Sequence, residues 1–190
     1  MFSFFKKINP LEKNTCSATQ TRKIAIVGNP NVGKSVIFNN LTGSYATVSN
    51  YPGTTVEVSK GICKIGEFVF EVIDTPGMYS LLPITEEERV ARSIIFKECP
   101  EIILHIVDAK SLQRMLPLTL QLIEARLPLI LVLNIMDEAE DLGVEFELNR
   151  LEQELNIPVV ATVSLTGRGM DILKGRIEEY VRRNNPGNCR

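Results

Sequence analysis

Gly28-Asn29-Pro30-Asn31-Val32-Gly33-Lys34-Ser35 sets four residues between two glycines and follows the second with Lys and Ser. Each residue type suits phosphate chemistry. Glycines allow backbone conformations and close approaches that a side chain would block. The N–H groups of such a loop converge on phosphate oxygens at the positive end of a helix. Lys34 can reach the outer phosphates as a point charge, and the Ser35 hydroxyl is a ligand for Mg²⁺. Asn29, Pro30, Asn31, Val32, Gly33, Lys34, Ser35 and Val36 are the candidate residues on this side of the site.

Three later segments extend the chemistry from phosphate to a whole nucleotide. Asp74-Thr75-Pro76-Gly77 ends an apolar run, where an acid at a strand's carboxyl end points into a ligand crevice. Asp74 would hold Mg²⁺ through a water, and the Gly77 N–H would meet a γ-phosphate. Asn134-Ile135-Met136-Asp137 ends another apolar run. A carboxylate at Asp137 can accept from both N1–H and the amino group of guanine, whereas adenine would leave the charge unpaired. Hydrogen bonds of this kind discriminate by about 10⁴ or more. Asn134 would contact the base and tie the neighbouring loops together, with Met136 beside it. In Ser164-Leu165-Thr166-Gly167-Arg168-Gly169, the Leu165 N–H would face the guanine carbonyl and Ser164 would brace the loop. Between the first two motifs lies a long polar stretch, 44–57, of the length that usually moves or functions. In it Thr54 and Thr55 both qualify to close over Mg²⁺.

These motifs need strands and helices to hold them. Apolar strand candidates are Lys23–Val27, Val56–Ile65, Glu67–Ile73, Ile102–Val107, Leu129–Leu133 and Pro158–Val163. The tight Ile65-Gly66-Glu67 turn makes the second and third an antiparallel hairpin. Helix-length segments separate the others, which makes them parallel. Helices are expected over Lys34–Leu41, Glu86–Lys97, Arg114–Ala125, Glu147–Leu155 and Met170–Arg183. Pro117 suggests that the third begins only near that residue. The sum is an α/β fold, a six-stranded, mostly parallel sheet with one antiparallel strand and helices on both faces.

At 190 residues, one domain with a sizeable core is expected. A net charge of −2 does not favour nucleic acid, and no apolar run approaches the roughly 20 residues that span a bilayer. Cys16, Cys63, Cys99 and Cys189 lack the paired spacing of a zinc or redox site, which suits a reducing cytoplasmic setting. His105 lies inside an apolar strand and reads as a core residue. In the first 21 residues, Phe2, Phe4 and Phe5 beside Lys6 and Lys7 suit a membrane surface, though such a cluster is more often a disordered tail or packs on the chain's own domain.

With these motifs in this order, the chain resembles the translation-factor-like small GTPases. More closely it resembles the N-terminal cytoplasmic G domain of the FeoB ferrous-iron transport proteins. That likeness rests on Asn50-Tyr51-Pro52-Gly53-Thr54-Thr55-Val56-Glu57 and on Gly77-Met78-Tyr79-Ser80-Leu81, besides the nucleotide motifs. It implies a Ras-like P-loop GTPase fold over 22–184, with a tail at 1–21 and a stub at 185–190. It implies binding of GTP and GDP with Mg²⁺, slow hydrolysis, and a membrane transport domain in cis or in trans at the inner face of the cell membrane. On the family pattern Thr55, rather than Thr54, is the Mg²⁺-binding threonine, which gives Ser35, Thr55 and Asp74 as the metal set. Lys34, Thr55, Gly77 and Asn31 are then the residues of hydrolysis, with Asn31 also a ligand for K⁺. Met78 stands where Ras-type enzymes have a water-orienting glutamine, a task a thioether does poorly. Two alternatives stay open: a guanine-nucleotide module without turnover, and a ribosome- or RNA-associated GTPase, which the acidic balance disfavours.

Overall fold

The computed structural model describes residues 22–43 and 46–184. The expectations for the tail at 1–21 and the stub at 185–190 lie outside the described residues. Strands β1 (Arg22–Val27), β2 (Ala46–Asn50), β3 (Glu57–Ile65), β4 (Phe68–Asp74), β5 (Ile102–Asp108), β6 (Leu129–Asn134) and β7 (Val159–Ala161) form one sheet in the order β2-β3-β4-β1-β5-β6-β7. Strand β3 pairs antiparallel with both neighbours, and all other pairings are parallel. Helices α1 (Lys34–Thr42), α2 (Glu86–Lys97), α3 (Leu112–Glu124), α4 (Met136–Asp141), α5 (Leu148–Leu155) and α6 (Met170–Asn184) make the crossovers.

The side-chain alternation of a strand sends neighbours to opposite faces, and both faces of this sheet are covered. Ile24 and Ile26 of β1 join a core with Ile37 and Phe38 of α1 and Leu173 and Ile177 of α6. Ala25 and Val27 join a second core with Val90 and Ile94 of α2 and Leu118 and Leu122 of α3. His105 is fully buried in β5, with Nδ1 3.1 Å from the Thr119 hydroxyl. Burial, with the nearby Lys34 charge, pushes its pKa down to about 3, so it is neutral at physiological pH. No helix among the described residues is long and apolar enough to cross a membrane.

Three elements depart from expectation. The sheet has seven strands rather than six, because Ala46–Asn50 pairs with Glu57–Gly61 inside the stretch read as loop. All five β2 residues are exposed, so this edge strand carries no apolar alternation to betray it. Helix α3 starts at Leu112 and runs through Pro117 instead of beginning there. Pro117 and Gln113, whose carbonyl the ring leaves without a helical partner, are both exposed, so water can serve that carbonyl. Residues Met136–Asp141 form the short α4, which begins within the Asn134–Asp137 motif and carries Asp137 in its first turn.

Candidate nucleotide site

The carboxyl ends of β1, β4, β5, β6 and β7 lie side by side in the sheet, and the four motifs follow β1, β4, β6 and β7. The crevice therefore forms where a doubly wound sheet binds ligands. Gly28 leaves β1 so close to β5 that a Cβ would sit 2.2 Å from the Ile106 carbonyl oxygen. Gly33 (φ +88°) is the N-cap of α1, and a Cβ there would lie 2.3 Å from Asn134 Nδ2. No side chain caps the start of α1, no acid lies in its first turn, and its first backbone bond is Ile37 N–H to Gly33 O. The N–H groups of Lys34, Ser35 and Val36 are thus the uncompensated positive end of a helix, which is what an anion needs.

Lys34 is buried and its Nζ donates to the Asn29 carbonyl at 2.9 Å. Burial lowers its pKa, opposed by the charge of Asp74. Ser35 Oγ donates to Asp74 Oδ2 at 2.7 Å, while Asp74 Oδ1 is buried with no hydrogen-bond partner. Burial pushes the Asp74 carboxyl up, and the Ser35 bond and the Lys34 charge pull it back. A buried, unpartnered carboxylate oxygen beside a serine hydroxyl is the donor set a hard cation or its water would satisfy, so these residues fit Mg²⁺.

The segment after Asp74 is pinned to the phosphate loop. Thr75 N–H and Oγ both donate to the Ile26 carbonyl, and Met78 N–H donates to the Gly28 carbonyl at 3.1 Å. A Cβ on Gly77 would lie 2.7 Å from Pro30 Cγ and 3.0 Å from its backbone nitrogen. Gly77→Ala should therefore force the two loops apart and destabilise the fold by about 1–3 kcal/mol, the usual range for overpacking. Urea unfolding checks this; an unchanged midpoint would mean that the Pro30 loop yields freely. Met78 is fully buried in the second core, so its thioether faces away from the site altogether. Thr54 is occupied locally: its N–H and Oγ both donate to Tyr51 O, and its Oγ accepts from Val56 N–H. Thr55 is exposed, and its hydroxyl bonds to no described residue. The structure thus leaves Thr55, not Thr54, with a spare hydroxyl, yet it brings neither to Ser35 or Asp74.

The remaining motifs converge on one cavity of about 200 Å³ lined by Asn31, Gly33, Val36, Asn134, Ile135, Asp137, Glu138, Val163, Ser164 and Leu165. Asn31 and Ile135 both take positive φ (62° and 61°). Asp137 Oδ1 is buried in this region without a partner. Asn134 is fully buried and spends its amide on the protein: Nδ2 donates to Val32 O (2.9 Å) and Ser164 Oγ (3.0 Å), and Oδ1 accepts from Thr162 Oγ and Ser164 N–H. It ties the loops together with both N–H bonds and both acceptor sites already used. Ser164 braces its loop from those contacts, while Leu165 is 83% exposed at the rim. Met136 is buried and its N–H donates to Thr162 O. Asn29 is buried with its Oδ1 unpartnered.

Sequence reasoning missed several supports. Asn40 Nδ2 donates to the Ser164 carbonyl from α1. Glu88 accepts from Tyr79, Ile84 and Thr85 N–H, and Gln121 accepts from Leu81 N–H, so α2 and α3 together hold the segment after Gly77. The Thr85-x-x-Glu88 spacing was legible as a capping box. Asn40 and Gln121 left no local signal, because their partners lie 124 and 40 residues away.

The profile of the ferrous iron transport protein B N-terminal family matches residues 22–177. The Fe(2+) transport protein A/Fe(2+) transporter FeoB fusion protein of Porphyromonas gingivalis is 44% identical over 149 residues, covering 78% of this chain and 18% of that protein. The Fe(2+) transporter FeoB of Escherichia coli K12 is 39% identical over 166 residues, covering 85% and 22%. The chain thus spans about a fifth of the length of these relatives. Among solved structures, the cytosolic domain of the T. maritima FeoB iron transporter in a GDP form superposes with a TM-score of 0.83 at 36% identity, covering 87% of this chain and 65% of that one. The FeoB G domain of Methanococcus jannaschii gives 0.75 at 40% identity, covering 86% and 99%. Fold, motif order and these likenesses agree: the chain belongs to the FeoB family, carries a Ras-like P-loop GTPase fold, and corresponds to the family's N-terminal G domain.

Proposed function

We propose that this G domain binds GTP and GDP together with Mg²⁺ and hydrolyses the β–γ bond slowly, as a switch for a membrane ferrous-iron transport domain at the cytoplasmic face. The observation that carries the reading is a pair of buried, unpartnered carboxylate oxygens, Asp74 Oδ1 by the phosphate loop and Asp137 Oδ1 by the cavity, bridged by Gly33 to Ser35. One suits a cation and the other suits the donors of guanine. The T. maritima relative has GDP and GMPPNP forms, which supports the same ligand class here.

In this reading the uncapped α1 terminus and Lys34 would bind the phosphates, and Ser35, Asp74 and Thr55 would hold Mg²⁺. That ion supplies charge stabilisation to the phosphoryl group as it transfers. Thr55 reaches the metal only if the exposed 51–56 turn closes. The Gly77 N–H would meet the γ-phosphate, a reading supported by the close packing of Gly77 against Pro30 of the phosphate loop. Water attacks the γ-phosphorus, the bond to the bridging oxygen breaks, and GDP and phosphate leave. With Met78 in the core, no side chain directly after Gly77 is free to position water, so that task would fall to backbone groups, while Asn31 would help hold a K⁺ that adds positive charge beside the phosphates.

Hydrolysis should therefore be faster in K⁺ than in Na⁺, with GDP affinity little changed, and Asn31→Ala should remove the difference. Single-turnover GTP hydrolysis in the two buffers tests this. Equal rates in K⁺ and Na⁺ would remove Asn31 from the mechanism, and no measurable turnover in either would leave a nucleotide-binding module without catalysis.

A further inference from the structure

Beyond the nucleotide motifs, one charged cluster sits against the base cavity without a role. Lys110 lies in the 3₁₀ turn Ala109–Ser111 that leaves β5. Its Nζ pairs with Glu138 Oε2 on α4 and lies 4.0 Å from Asp108 Oδ2. Asp108 Oδ1 in turn accepts from Lys110 N–H at 3.0 Å, which fixes the turn. Glu138 is both the residue after Asp137 and a lining residue of the cavity. Asp108 pairs in register with Asn134, so the lysine's own turn is anchored one strand away from the Asn134–Asp137 motif.

From this geometry we infer that Lys110 is a positioning residue for guanine selectivity: through Glu138 it ties the first turn of α4 to the turn that leaves β5 and so holds the Asp137 carboxylate in its place at the cavity. The inference rests on the guanine-site reading above. Its physical basis has two parts. Asp137 and Glu138 lie in the first turn of a six-residue helix whose N-cap, Ile135, has no side-chain cap bond. Met136 N–H to Thr162 O and the Arg168–Glu140 pair hold this helix from the side of β7, and Lys110 is the tie that holds it from the side of β5. Second, a carboxylate that accepts two hydrogen bonds from one planar edge tolerates little rotation. The bond to the exocyclic amino group fails first when the turn shifts. The bond to Glu138, helped by the charges of Asp108 and Asp137, holds the Lys110 proton more tightly than usual.

The test compares GDP with IDP, which lacks the 2-amino group. The parent should prefer GDP. In Lys110→Ala, and independently in Glu138→Ala, the GDP-to-IDP affinity ratio should fall by about two- to fivefold, the range an exposed ion pair can carry. Lys110→Arg should keep the ratio, and the double alanine variant should be no worse than either single one. A general loss of structure would lower both affinities together and leave the ratio intact. That result, or an unchanged ratio with unchanged affinities, would overturn the inference. A parent that binds GDP and IDP equally would instead sink the base-site assignment itself, and this inference with it.

Discussion

Asp137→Asn should weaken GDP and GTP binding by about ten- to a hundredfold and shift preference toward xanthine nucleotides. The lower bound is one charge-assisted hydrogen bond of roughly 1.5–3 kcal/mol; the upper approaches two. Guanine offers two donors, N1–H and the amino group, to a carboxylate. An asparagine can answer one of them with its carbonyl but turns an N–H toward the other, which leaves a buried donor unmatched. Xanthine carries a carbonyl where guanine has its amino group, so the same N–H becomes an asset. The structure prepares this result: Asp137 Oδ1 is buried with no partner in the protein, so its interaction energy is uncommitted. Competition of GDP and XDP against a fluorescent nucleotide measures the shift. Parent-like GDP affinity in the variant would place the base elsewhere.

Lys34→Ala should reduce GDP affinity at least tenfold, because one ammonium that opposes several phosphate charges is lost from a largely dry site (roughly 1.5–3 kcal/mol). The free protein should lose little stability. Lys34 is buried, and burial already lowers its pKa, so its charge costs the unliganded fold more than it contributes. Its one hydrogen bond goes to the Asn29 carbonyl. Calorimetric titration with GDP and thermal unfolding of the free variant, run side by side, separate the two effects. A large fall in melting temperature with GDP affinity intact would make Lys34 a structural lysine and contradict its assignment to phosphate.

Much of the site was legible in the chain because phosphate-loop chemistry is local. Gly33, Lys34 and Ser35 must be consecutive for a helix start to carry N–H groups, an ammonium and a hydroxyl to one anion. Asp74 and Asp137 follow apolar runs, and a parallel sheet brings the carboxyl ends of such runs together. The α/β class and the antiparallel β3–β4 hairpin followed from the same patterning. Strand β2 did not, since an exposed edge strand is defined by backbone pairing with β3 and not by its side chains. The start of α3 was misplaced because Pro117 sits on the exposed face, where the lost bond costs least.

By itself, the sequence determined which chemical groups are present, in what order, and on which strand ends they fall. Periodicity and motif spacing are properties of neighbours along the chain, and neighbours suffice for a loop that wraps an anion. The tertiary structure decided what each polar group spends its bonds on. Asn134 reads from the sequence as a base contact that also ties the neighbouring loops, and only the structure names the partners of that tie, Val32, Thr162 and Ser164, 28 to 102 positions away. Met78 was expected to be a poor water-orienting residue and proved to be a core residue. Lys110 carried no motif at all, and only the register of β5 against β6 brings its turn to the Asn134–Asp137 segment so that it can pair with Glu138. Such partnerships depend on strand order and register, which are set by burying both faces of the whole sheet at once, and no local stretch of chain encodes that.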